Sequence, residues 1–455
     1  MYYALLLFIL FFTPGYSSSV GRKDSGPPHD KVIVCYYGSW ASFRLNKGEF
    51  TVDKIDPELC THIIYSFAGL NVTASTIRSL DNFLDLEEDY GKGSYKKLTS
   101  MVKKYPHLKV SIAIGGWNEG SQNYSQLAAD PAKRKIFVES VIEFLQTHNF
   151  QGFDLDWEYP TKRGGLPEDK ENFVLLVKEL YESLNPKGYL LTAAFGAGRD
   201  TMESAYELKE LNKYLDFVHL MCYDYHGKWD KKIGANAPLK TYDRNDYFTI
   251  SYSLEFMLAK GIDKNKLVLG LALYGRTFVL KEEKLGRVTL GDPTEEGAFS
   301  GPYTREDGFM GYNEICMELK NNSEWEHTWD EETLTPFVKN KIQVISYDNV
   351  HSLKEKIKFA MDRDIAGVMV WSIDTDDFRG DCSINEADKE HFPLLRSISY
   401  SIVESLQEIE IEKEKAIADA KTEMPNYDNP NSSSYISSSI VIVLAAYVIN
   451  SYLLY

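Results

Sequence analysis

Cysteine is scarce in this chain: five residues in 455, with no Cys/His cluster at zinc-ligand spacing and no compact Cys-rich module. A metal-stapled or disulfide-dense scaffold is thereby excluded, and no metal or cofactor is expected. Cys35, Cys60, Cys316 and Cys382 suffice for two bridges, and Cys222 is left over in an apolar stretch as a buried thiol. Basic residues are also in deficit, 50 against 67 acidic ones, for a formal net charge of −17. Such a surface repels phosphate backbones, so nucleic acid is not an expected partner; a neutral ligand is indifferent to it. Long apolar runs are missing as well. The C-terminal one, residues 440–455, is broken by Asn450 and Ser451 and carries no Lys or Arg, whereas a spanning helix needs about twenty apolar residues and basic flanks.

What the chain does have at its ends suggests export. Residues 1–17 read as a secretory leader, with an apolar core at 5–12 and small residues after it, although no Lys or Arg precedes Arg22. Asn71, Asn123 and Asn321 stand in glycosylation sequons. Residues 401–424 are charged and helix-favouring, 425–439 form an Asn/Ser/Pro-rich linker, and 440–455 read as a glycolipid-anchor signal. A short membrane anchor and a free secreted product are the alternatives. The product is expected outside the cell, as a monomer.

Between the ends, short β-rich runs alternate with segments of helical period. Strands are expected at 31–36, 62–67, 109–114, 152–156, 190–195, 217–223, 267–271 and 367–371, with helices such as 131–146 and 169–184 between them. Eight βα units in series predict a (β/α)8 barrel over residues 30–398. The gap before the last strand is too long for one helix, so a small α+β insertion is expected at 276–347.

One run carries the chemistry. In Phe153-Asp154-Leu155-Asp156-Trp157-Glu158, the acids fall at every second position. Side chains of a strand alternate between faces, so the three carboxyls share one face and the apolar residues the other. Crowded carboxyls cannot all ionise cheaply, and one that keeps its proton near neutral pH is a general acid. A calcium loop would want a different glycine and glutamate spacing. Other informative residues fall at predicted strand ends: Gly115, Gly116 and Trp117; Met221, Tyr223 and Asp224; Tyr274 and Arg276; Trp371. In such barrels the C-terminal rim bears the site.

These residues carry a family resemblance. The run 152–160, GFDLDWEYP, resembles the signature of the family 18 glycoside hydrolases, which include animal chitinases and chitinase-like lectins. Four further segments, 113–118, 221–224, 274–276 and 367–371, resemble the accompanying motifs in the expected order, and the likeness covers about residues 31–398. It implies endo-acting cleavage of β-1,4-linked N-acetylglucosamine polymers. By the same likeness Glu158 protonates the glycosidic oxygen, Asp156 orients the substrate's acetamido group as nucleophile, and Asp154 shares a proton with Asp156. Tyr223 and Asp224 are implied to hold that group. Tyr36, Trp40, Trp117, Trp229 and Trp371 are implied as sugar platforms. Phe67, Gly116, Met221, Tyr274 and Arg276 complete the implied binding set. The implied disulfides are Cys35–Cys60 and Cys316–Cys382.

Two positions depart from the family pattern. Gln151 replaces an Asp, is expected at the base of the strand behind Asp154, and is expected to shift the proton sharing there and lower activity without abolishing it. Val344 stands where relatives often carry Trp. A non-catalytic chitin-binding lectin is the alternative function, and an N-glycan hydrolase a third; the presence of Glu158 argues for catalysis.

Overall fold

The computed structural model describes residues 26–243, 245–383 and 389–422. The leader, the linker and the tail therefore lie outside the described residues. Eight parallel strands close on themselves: Val32–Gly38, His62–Asn71, Lys109–Gly115, Gly152–Asp156, Leu190–Gly196, Phe217–Met221, Leu267–Ala272 and Gly367–Trp371. The first pairs with both the second and the last, so the barrel has no open edge. Its strands read as near-continuous apolar runs because both faces are buried, one against helices and one against the barrel interior.

The helices follow from the 3.6-residue period. Helix Asp169–Leu184 buries Phe173, Leu176, Val177, Leu180 and Leu184, a stripe three to four residues apart. Helix Pro131–His148 starts with proline at its first position, and Asp130 caps it by accepting from the Ala132 and Lys133 amides. Between the seventh and eighth strands the chain builds a five-stranded antiparallel sheet with one helix, Tyr312–Asn321. That sheet begins at Tyr274, directly after the seventh strand, and its last segment in sequence is Gln343–Ser346. Val344 is fully buried in its core, beside Phe278 and Phe337.

Three features escaped the sequence. The second strand runs on to Asn71 and folds back as a hairpin onto Thr76–Ser79. The sixth strand stops at Met221, two residues early. The charged C-terminal segment belongs to a helix that starts well before it, Pro393–Thr422. Two compact units divide the chain between Leu406 and Gln407. In the first, this helix buries Leu394, Leu395, Ile398 and Ile402; in the second, its residues 410–415 are all exposed, because the apolar stripe has run out.

Cys35–Cys60 and Cys316–Cys382 are bonded and Cys222 is a buried free thiol. The bridges span 25 and 66 residues, enough for about 3.5 and about 4.3 kcal/mol in the chain-entropy account. Asn321 is exposed, whereas Asn71 and Asn123 are half-buried.

Helix Val350–Asp362 carries a fully buried cation, Lys356, paired with the equally buried Asp348, whose Oδ1 also accepts from the Ser352 hydroxyl at 2.6 Å. Removing one partner leaves a buried charge uncompensated. Lys356→Ala is expected to cost about 3–5 kcal/mol, read as a lower denaturation midpoint with an unchanged slope.

Candidate active site

The fourth strand sets out the acids. Phe153, Leu155 and Trp157 are all at most 2% exposed and pack outward, Trp157 lying against Tyr124 and Phe173. Asp154 and Asp156 therefore point into the barrel, at 0% and 3% exposure. Glu158 follows two residues past the strand end, half-buried. The adjoining loop can approach this closely because Gly115 and Gly116 have φ of 112° and 80°. A Cβ at Gly115 would stand 2.1 Å from the Asp156 carbonyl oxygen, and the Gly116 amide donates to that same oxygen at 2.8 Å.

Asp154 is the anchored member. It accepts from the Tyr36 hydroxyl at 2.8 Å and from the Thr192 hydroxyl, with His219 Nδ1 at 3.4 Å. Asp156 is the uncommitted one: its Oδ1 is buried without a hydrogen-bond partner among the described residues. Burial pushes the Asp156 carboxyl well above the carboxylate range, and the charges of Glu158 and Asp154 push it further. Burial likewise carries Glu158 up to about 7, against the pull of a hydrogen bond from Tyr159; Asp224 adds to the rise and Arg163 opposes it.

Aromatic rings surround the acids. Trp371, at the end of the eighth strand, has Trp40 and Phe67 each at 6.0 Å, and Trp40 stacks on Phe67 at 6.1 Å. Trp40, Trp117 and Trp229 are 44%, 59% and 51% exposed, after the first, third and sixth strands. Tyr223 lies 5.9 Å from Tyr274, its hydroxyl 3.8 Å from the Met369 sulfur, a weak acceptor. Met221 packs with Tyr36, Ala113 and Met369 on the barrel floor. Asp224, in left-handed conformation at φ 57°, is held by the Asn236 side chain and accepts at 2.7 Å from both Tyr274 and Arg276. The Arg276 guanidinium also lies 5.2 Å from the Trp229 ring.

Three residues singled out in the sequence are held by protein partners. Tyr36 is 1% exposed and its hydroxyl serves Asp154. Tyr274, also 1% exposed, donates its hydroxyl to Asp224. Gln151 stands at the base of the fourth strand, as expected, but it is tied to backbone there. Its Oε1 accepts from the Val110 amide at 3.1 Å, at the opposite end of the barrel. Residues three apart on a strand lie on opposite faces, so Gln151 could not share a proton with Asp154.

Sequence reading missed several contributors. Thr192 and His219 are lone polar residues in apolar strands; His219 shares the parity of Met221 and Tyr223, which is a usable signal. Arg163 gave none. It sits at φ 53° in a loop that Asp169 ties down by accepting from the Thr161 and Leu166 amides. From there its guanidinium covers the Trp117 ring at 3.4 Å and donates to the Trp117 and Glu158 carbonyls at 2.8 and 3.0 Å.

Comparison with known proteins agrees with this geometry. The family profile described as glycosyl hydrolases family 18 matches residues 32–376. A protein named probable chitinase 2 from Drosophila melanogaster is 45% identical over 93% of this chain and 90% of its own length. The crystal structure of Ostrinia furnacalis Group IV chitinase in complex with allosamidin superposes with a TM-score of 0.78 at 38% identity, covering 83% of this chain and all of that one. Human YKL-39, described as a pseudo-chitinase with retained chitooligosaccharide binding, gives 0.73 at 31% identity, over 82% of this chain and 99% of that one.

Arg163 lowers the proton affinity of Glu158, so its removal acts in the opposite sense. Arg163→Gln is expected to raise the midpoint of the Glu158 carboxyl in a carbon-13 titration; an unmoved or lowered midpoint would refute the coupling.

Proposed function

This chain belongs to glycosyl hydrolase family 18, and from that premise we propose that it hydrolyses β-1,4-linked N-acetylglucosamine polymers, chitin, from within the chain and with Glu158 as general acid. The observation that carries the proposal is the placement of Glu158 just past the fourth strand, beside Asp156 and among the exposed rings of Trp40, Trp117 and Trp229 on the same rim; burial pushes its carboxyl up to about 7. At neutral pH it retains a proton to give, and general-acid catalysis by such a group is worth about 10²–10⁴-fold.

The reaction follows from what each group has left to offer. Glu158 donates its proton to the bridging oxygen, and the bond from that oxygen to the anomeric carbon breaks. The substrate's own acetamido carbonyl oxygen attacks the same carbon, so the protein supplies no nucleophile. Asp156 accepts the acetamido N–H on its free Oδ1, which turns the amide toward the ring and stabilises the cation it becomes. Asp154, fixed by Tyr36 and Thr192, favours the protonated form of Asp156 through its charge. Tyr223 offers a hydroxyl that, among the described residues, only the Met369 sulfur engages. Water then opens the cyclised amide while Glu158 takes its proton back, and the anomeric configuration is retained.

The apolar face of each sugar stacks on an indole. Trp371 floors the unit next to the broken bond. Trp40 and Trp117 on one side and Trp229 on the other flank Glu158 around the rim, an arrangement suited to a chain that passes through. Glycan binding without cleavage is not favoured, because the acid and its neighbours are all present. The leader and the two disulfides support action outside the cell.

Glu158→Gln keeps the shape and removes the proton. Cleavage of a soluble chitin oligomer is expected to fall by about 10²–10⁴-fold, while calorimetric affinity for the oligomer stays close to that of the parent. Undiminished turnover in the variant would overturn the assignment.

A further inference from the structure

The line of aromatic rings does not end at Trp40. Residues Ser39–Phe43 form a short 3-10 helix. Side chains three apart in such a helix eclipse, with about 6 Å of rise between them. Phe43 therefore continues the line that Trp40 begins, and its ring is 52% exposed. Beyond it the Lys92 ammonium lies 5.2 Å from the Phe43 ring and 5.9 Å from that of Phe83, itself 54% exposed.

This outer path is rigid. Arg44, next to Phe43, pairs with the fully buried Asp374 at 2.8 Å, just past Trp371. The Lys92 amide donates to the Phe83 carbonyl, closing the loop that carries both. Asp81 caps the one-turn helix Asn82–Asp85 by accepting from the Leu84 amide at 3.0 Å, and Leu84 and Asp85 are buried beneath it. The core is thus closed by Leu84 while Phe83 is turned outward. Two large rings held apart around one cation, contiguous with a sugar platform, form an apolar surface with a hydrogen-bond donor at its centre.

We propose that Phe43, Lys92 and Phe83 form an accessory surface, outside the cleft, that seats the same polysaccharide chain beyond the units held by Trp40 and Trp371. The ring faces take the apolar sides of successive sugars, and the Lys92 ammonium donates to hydroxyl or amide oxygens between them. Ring faces with a hydrogen-bond donor between them suit a neutral sugar polymer. It rests on the function proposed above and adds to it a preference for long or solid substrate over short soluble oligomers, which the cleft alone can hold.

The test uses the full chain with both rings removed, Phe43→Ala with Phe83→Ala, and separately Lys92→Ala. On a soluble chitin trimer, kcat/KM is expected to stay within about twofold of the parent. In the Glu158→Gln background, where nothing is cleaved, retention on insoluble chitin is expected to fall by about tenfold in the double variant, the effect of two lost ring contacts. Unchanged retention overturns the proposal. An equal loss on the trimer also overturns it, since the rings would then support the cleft. A change in sedimentation behaviour without a change in retention would assign the surface to contact between copies of the chain, and would overturn it too. If the parent cleaves no oligomer at all, the proposed function fails, while the retention comparison still reads this surface by itself.

Discussion

A carboxyl group withdrawn from water and set beside other carboxyls keeps its proton, and the rest of this active site is arranged around that fact. Burial alone raises Asp156 and Glu158, and each is raised further by acidic neighbours. Titration here belongs to the group as a whole, because a proton gained by one member is refused by the next. The structure distributes the consequences. Asp154 is satisfied by hydroxyl donors from the first and fifth strands, Asp156 is left with an open oxygen, and Glu158 sits at the mouth with a cation on one side and an acid on the other.

The barrel makes this crowding affordable by supplying the constraint from many directions. No single element holds the site: Tyr36, Thr192 and His219 come from three different strands, and Asp224 is fixed by Tyr274 and Arg276 from a fourth. A charge buried this way is tolerated only because its partners are themselves locked in packed strands. The same logic applies outside the acids. Arg163 is useful because Asp169 immobilises its loop, and Trp40 because Arg44 ties its helix to Asp374. Platforms held this firmly lose little freedom when a sugar settles on them.

Much of this was legible in the chain itself, for a definite reason. Period-two spacing of the acids, with apolar residues between them, determines which side chains share a face before any fold is known. Strand 152–156 and helix 169–184 were read at their observed limits because their periodicities are long and unbroken. Parity was also where the reading failed. Gln151 was expected to alter proton sharing at Asp154, but it is three residues away and so on the other face, where it bonds to Val110. Tyr36 reads as a platform and Tyr274 as a binding residue in sequence; only the depth of the barrel shows that their rings are covered and that their hydroxyls bond to Asp154 and Asp224. Arg163 was beyond reach, since a loop arginine declares its target only when the loop is folded. Phe43 lies far in sequence from Phe83 and Lys92, and it meets them only through two unrelated loops.

The account stands or falls on the proton of Glu158. Catalysis requires the protonated form, so activity is present below the midpoint of this group and is lost as pH rises through it. The most direct measurement is kcat/KM against pH on a short soluble chitin oligomer, which reports the free enzyme. The expected profile holds through mildly acidic pH and declines as pH passes about 7. A decline that sets in near the ordinary glutamate value of 4.5 would mean that the crowded carboxyls do not hold the proton, and would contradict the mechanism.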